Sequence, residues 1–151
     1  MTQPTIRPAR ASDAAALQTI YVRAARSIAA DRAFLDAAPE RLDLSRKVVE
    51  GDRILVADTA GQPIGFAVLS PEGEIRGLFV DPGFHRRGLG RMLADACEGD
   101  ARGMDAEALT VVSHPAAEGF WTSLGFVPAG EAETEGGPAL RLVKPLRISA
   151  A

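Results

Sequence analysis

From Leu78 to Arg91 the chain reads Leu-Phe-Val-Asp-Pro-Gly-Phe-His-Arg-Arg-Gly-Leu-Gly-Arg. An apolar strand, a turn at Asp81-Pro82-Gly83 and a Gly/Arg loop that opens a helix together make an anion site. The first N–H groups of a helix have no intrahelical acceptor, and the helix dipole adds partial positive charge at that end. Gly88 and Gly90 remove side chains that would hold a diphosphate away from those amides. Arg86, Arg87 and Arg91 add permanent charge matched to phosphate oxygens, and His85 stands at the rim. The predicted anion contacts are therefore His85, Arg86, Arg87, Gly88, Leu89, Gly90 and Arg91. The run lacks the Gly-x-x-x-x-Gly-Lys-Ser/Thr of nucleoside triphosphatases. It also comes too late in the chain for the opening loop of a dinucleotide-binding fold.

The elements that position this loop follow from periodicity and punctuation. Thr5–Pro8 reads as a first strand, with Ser12 capping the helix that follows and Asp13 in its first turn. Leu17, Ile20, Tyr21, Ala24, Ala25 and Ile28 recur at helical spacing. Residues 30–38 read as irregular or a short turn, and Pro39 starts a second helix to about Glu50, ended by Gly51. Ile54–Ala57, Ile64–Leu69 and Glu74–Val80 form an antiparallel meander, the first hairpin turning through Asp58–Pro63. Gly77 inside the third strand marks a bulge or a close approach. Leu89, Met92, Leu93, Ala96 and Cys97 share one helix face, with Gly99 weakening the helix end and Gly103 beyond it. Ala108–Val112 then forms a strand parallel to the third, through a right-handed crossover. A short helix over Pro115–Leu124 and strands at Phe126–Pro128 and Ala139–Val143 close the chain around a polar loop at 133–137.

The totals narrow the class. With 151 residues, 46% hydrophobic and 25% charged, the chain reads as one soluble domain over 1–151. A net charge of −3 argues against nucleic acid as a partner. No leader or membrane-spanning run is present, so a cytoplasmic setting is expected. The single cysteine, Cys97, reads as a buried core residue, and the two histidines and one cysteine have no metal-ligand spacing, so no metal is expected.

With His85-Arg86-Arg87-Gly88-Leu89-Gly90 after a strand, the chain resembles the GNAT superfamily of acetyl-CoA-dependent N-acetyltransferases, whose signature is Gln/Arg-x-x-Gly-x-Gly/Ala. His85 takes the first place of that signature. Ile6-Arg7-Pro8-Ala9 followed by Ser12-Asp13 is similar to the family's opening. Phe120-Trp121-Thr122-Ser123-Leu124-Gly125-Phe126 is similar to its Phe-Tyr-x-x-x-Gly-Phe. The resemblance implies an α/β (α+β) fold: a mixed, mostly antiparallel sheet of six to seven strands, helices on both faces, and a splayed parallel pair. It implies acetyl-CoA as cosubstrate, with its diphosphate on the loop amides and its pantetheine arm along Leu78, Phe79 and Val80. A backbone N–H near Leu78 or Phe79 would polarise the thioester carbonyl.

The activity implied is acetyl transfer to a primary amine of a small molecule, peptide or protein, with a homodimer common among relatives. Such an amine must lose a proton before it attacks, and a carboxylate serves for that. Glu74 at the start of the third meander strand is the first choice, Glu72 the second. Trp121 occupies the place of the family tyrosine that protonates the departing thiolate. An indole N–H donates a hydrogen bond but is no acid near neutrality, so Trp121 donates to the sulfur, shapes the pocket or fills the core. His114, at a strand end over the expected cleft, is the other candidate for moving a proton. Ala116 stands where the family often has a CoA-contacting Asn. Arg23, Arg26, Asp31 and Arg32 flank the region that covers the acceptor in the family, and Glu131, Glu133 and Glu135 form a small acidic run. Rival readings are an acyl-CoA-binding module without catalysis and a binder of another phosphate ligand.

Overall fold

From Ile64 to Ser70 every residue is buried, as in a strand covered on both faces. In the computed structural model, which describes residues 3–27, 32–85 and 87–147, this run sits inside a seven-stranded sheet. The elements are β1 (Thr5–Pro8), α1 (Ala14–Arg26), α2 (Arg32–Asp36), β2 (Arg53–Thr59), β3 (Gln62–Leu69), β4 (Glu74–Val80), α3 (Leu89–Gly103), β5 (Ala108–Ser113), α4 (Glu118–Ser123), β6 (Val127–Thr134) and β7 (Gly137–Pro145). The strand order is β1-β2-β3-β4-β5-β7-β6. Every neighbouring pair is antiparallel except β4 and β5, which are parallel.

Successive side chains of β2 and β3 point to opposite faces, and each face has its own core. Leu55, Ala57, Ala67 and Leu69 pack with Leu89, Leu93 and Cys97 of α3. Val56, Phe66 and Val68 pack with Leu17, Ile20 and Tyr21 of α1. Cys97 is fully buried, and desolvation is the main cause that pushes its thiol up to about 12, with Asp100 adding to it. It is a core residue.

An ion cluster ties the chain's start to the sheet. Arg7 donates to both carboxylate oxygens of Asp13, at 2.8 and 3.0 Å, and from Nε to Asp58 at 2.8 Å. Asp13 also accepts the Arg10 N–H at 2.7 Å, so it rather than Ser12 satisfies the backbone at the helix entrance. The expected cap at Ser12 is thereby corrected.

The segment after α1 differs most from expectation. A short helix, α2, forms where none was predicted. The helix expected from Pro39 to Glu50 is replaced by two 3-10 turns, Pro39–Leu42 and Leu44–Arg46, with Asp43 extended between them. The cause lies in α1. Gln18 donates to the Leu42 carbonyl at 2.6 Å and accepts the Leu44 N–H at 2.9 Å, while the Tyr21 hydroxyl donates to the Arg41 carbonyl at 2.8 Å. These long-range bonds satisfy backbone groups that a continuous helix would have paired internally.

Other differences are smaller. The β2–β3 turn is only Ala60-Gly61, helix α3 runs through Gly99 to Gly103, and β6 and β7 extend almost to Glu135-Gly136. Ile28 and Asp31 lie outside the described residues.

Candidate active site

The parallel pairing of β4 with β5 covers only Glu74 with Thr110 and Ile75 with Val111. Beyond that point β4 continues to Val80 paired with β3 alone, and β5 continues to Ser113 paired with β7 alone. The two strands splay, and the β5-facing backbone groups of Gly77–Val80 have no strand partner. A bulge starts the divergence: Val68 pairs with Gly77 but Leu69 with Ile75, leaving Arg76 as the extra residue. Gly77 has a second role. A Cβ there would lie 2.4 Å from Cε2 of Phe79, so only glycine lets that ring fold back over the strand. The ring is held by Tyr21 and Phe66, at centroid distances of 5.0 and 5.2 Å.

Helix α3 begins at the mouth of this gap. Its cap, Gly88, has φ of +76°, a left-handed conformation that side chains resist. The Met92 N–H donates to the Gly88 carbonyl at 3.0 Å as the first bond of the helix, so the amides of Leu89, Gly90 and Arg91 precede the ladder. Gly90 answers to packing as well: a Cβ there would lie 3.1 Å from two ring carbons of Phe120. A cavity of about 730 Å³ runs from these amides along Leu78, Phe79 and Val80, walled by Phe120 of α4, by Leu124 just after that helix, and by Ala24 and Ala25 of α1. His85 and Arg91 also line it, and the Arg87 guanidinium lies 5.3 Å from the centre of the Phe84 ring. Arg86 lies outside the described residues. A long ligand with an anionic middle and an apolar arm fits this shape. The amides meet the charge, and the open strand edge offers main-chain hydrogen bonds to the arm.

The three predicted catalytic residues do not converge. Glu74 accepts from Arg76 at 3.0 Å, and Arg76 is shared with the fully buried carboxylate of Asp52. Glu74 lines neither the main cavity nor the smaller one beside β5. Trp121 is 6% exposed, wedged against Phe120 and Phe126 at centroid distances of 4.9 and 5.1 Å, and belongs to the α3-side core. Its neighbour Phe120 faces the cavity instead. His114 does reach the gap. It lines a cavity of about 360 Å³ together with Phe79 of β4 and Val112 of β5. Its Nδ1 accepts the Ala116 N–H at 3.1 Å, so the neutral ring carries its proton on Nε2.

Residues that sequence reasoning left out of the site are Tyr21, Lys47, Phe84 and Phe120. Only Phe120 had a local sign, its place in the Phe-Trp pair. Glu131 and Glu133 lie on β6, the strand at the sheet edge. Among the described residues no group of three or more His, Cys, Asp or Glu is placed to hold a metal, and no helix is long and apolar enough to cross a membrane.

A family model described as an acetyltransferase (GNAT) domain matches residues 14–140. The chain is similar to a GCN5-related N-acetyltransferase from Rhodopseudomonas palustris, with 29% identity, a TM-score of 0.80, and 97% of this chain and 98% of that one covered. It is similar to apo YjaB from Escherichia coli, with 28% identity, a TM-score of 0.72, and 93% and 97% covered. The fold is shared with yncA from Salmonella typhimurium, a structure that contains its cofactor acetyl-CoA, at 22% identity and a TM-score of 0.71, with 98% and 96% covered. No curated protein sequence gives a significant match.

Proposed function

Since the chain belongs to the GNAT acetyltransferase family, with acetyl-CoA as cosubstrate, we propose that it acetylates a primary amine and does so in the gap between β4 and β5. The observation that carries this reading is the continuity of the cavity, from the unpaired amides at the α3 mouth to the splayed strand edge. In this reading the amides of Leu89, Gly90 and Arg91 hold the diphosphate, with Arg87 and Arg91 neutralising its charge. The backbone of Leu78–Val80 aligns the pantetheine arm and directs an N–H at the thioester oxygen, where charge develops. Bound acetyl-CoA supplies the activated acyl group: the amine nitrogen bonds to the acyl carbon as the carbon–sulfur bond breaks.

The proton inventory then follows. The ammonium loses one proton before attack, the new amide loses another, and the thiolate gains one, for one net proton released. Glu74 is bound to Arg76, so water takes the first proton in this scheme. His114, on the β5 side of the gap, has an N–H to offer. Its Nδ1 is taken up by the Ala116 N–H, so the hydrogen bond it can donate comes from Nε2. His114→Ala is expected to lower kcat about tenfold, below the usual range for general acid–base groups because solvent reaches this exposed site. The KM for acetyl-CoA should stay the same. Trp121→Phe, which keeps an aromatic in the core, is expected to hold kcat within about threefold. A larger loss would assign the indole N–H a part in the chemistry.

The test of the whole reading is a pair of measurements. Calorimetry with acetyl-CoA reports binding, and CoA release over a panel of primary amines reports transfer. Binding without release on any amine favours an acyl-CoA-binding module, the reading kept alive by the engaged Glu74 and the buried Trp121.

A further inference from the structure

The small cavity at the strand gap has an unbalanced charge. It is lined by Phe79, Val112, His114 and the apolar side chains of Leu35 and Pro138, and its one ammonium is that of Lys47. Among the described residues no carboxylate lines it. Lys47 also lines the adjoining polar cavity of about 610 Å³, together with Arg41, Arg46 and Glu135. There the carboxylates of Glu40, Asp43 and Glu135 stand against Arg41, Arg46 and Lys47, so the charges of that larger cavity balance and the excess cation is confined to the gap. Glu135 faces Arg41 at 3.7 Å, and the Asp43 carboxylate accepts the Ser45 N–H and hydroxyl at 3.0 and 2.7 Å. Lys47 and Arg46 make no ion pair among the described residues.

At the gap itself an acceptor whose only charge was its ammonium would meet a like charge, with no carboxylate of a described residue lining the small cavity to receive it. An acceptor that also carries a carboxylate would pair it with Lys47 and keep its amine free for the gap. We propose that the acceptor is a small amine bearing its own carboxylate, of the α-amino-acid type, with Lys47 as the residue that selects it and Arg46 reinforcing the charge. This rests on the acetyl-transfer reading above and specifies its substrate class. The segment that supplies Lys47 is held by Gln18 and Tyr21 of α1, so the cation is placed by the fold and not by a free loop.

The experiment compares α-amino acids with their primary amides as acceptors, reading CoA release by the intact protein. The amide's amine is less basic and more deprotonated at neutral pH, so intrinsic reactivity runs against the preference expected. The best free acid should exceed its amide at least tenfold in kcat/KM. Lys47→Met should bring the acid down to the level of its amide, and Lys47→Arg should keep most of the preference. Equal or better turnover of the amide, or an equal loss on both acceptors in Lys47→Met, overturns the assignment while leaving acetyl transfer intact. No turnover of any acid or amide, with acetyl-CoA still binding by calorimetry, overturns the proposal; CoA release from another primary amine of the panel then leaves the transfer reading standing, and no release from any amine overturns that reading as well.

Discussion

Gly88→Val is expected to weaken acetyl-CoA binding by about a hundredfold, or roughly 2.7 kcal/mol. Two effects add. The left-handed φ of +76° costs a non-glycine residue about 1–2 kcal/mol, and a β-branched one more, so the cap shifts and the amides behind it turn away. The new side chain also projects into open space, since a Cβ at this position has no protein atom within 4 Å. That space is the cavity wall where the diphosphate is proposed to lie. Calorimetric titration gives the affinity, and thermal melting shows how much of the strain the fold bears. An affinity within threefold of the parent protein would mean that the diphosphate does not sit at this helix mouth.

The second large effect concerns stability. Arg7→Met is expected to cost about 3 kcal/mol, because it leaves the carboxylates of Asp13 and Asp58 nearly buried without their cation. For a chain of this size, that is a fall in Tm of roughly 6–12 °C. The same cluster sets the acid limit. Hydrogen bonds from Arg7, then the Arg10 N–H, hold the Asp13 carboxyl down at about 2, against 3.8 for an ordinary Asp, and Arg7 lowers Asp58 as well. Because the folded values are depressed, this stabilisation is fully present above the unfolded carboxylate range and is lost as pH falls from about 4 towards 2. Denaturant melts at pH 7, 4 and 2.5 check both statements. The parent should lose stability across the lower two values, and Arg7→Met should lose less, having less to give up. A parallel fall in both proteins would remove the cluster from the account.

The resemblance at Ile6-Arg7-Pro8-Ala9 and Ser12-Asp13 acquires a physical meaning here. Arg7 and Asp13 are bonded to each other, and the second carboxylate comes from β2, 51 residues from Arg7 along the chain. One half of the cluster was visible as a motif and the other half was not.

Legibility followed the range of the interactions. The β2–β4 meander, the Gly/Arg loop at the start of α3 and helix α3 itself were readable because each rests on consecutive residues: alternation, a Pro-Gly turn, two glycines beside arginines, a 3.6-residue stripe. The 39–50 segment was misread for the opposite reason. Its sequence accepts a helix, but Gln18 and Tyr21 bond its backbone from α1 and break it into two turns. The closing hairpin was read too short because its polar residues lie on exposed β6, where the ladder with β7 outweighs weak local preference.

The candidate site divides along the same line. Local order in the chain was enough to specify the cap at Gly88, the amides behind it and the strand leading to them, because the chemistry of a helix mouth needs only neighbours. Tertiary packing decided that Arg76 is shared with Asp52, that Phe120 and not Trp121 meets the cavity, that β4 parts from β5 after Ile75, and that Lys47 stands near His114. Those outcomes turn on contacts between segments far apart in the chain. Their energies depend on which face each segment buries, and no short run of residues encodes that.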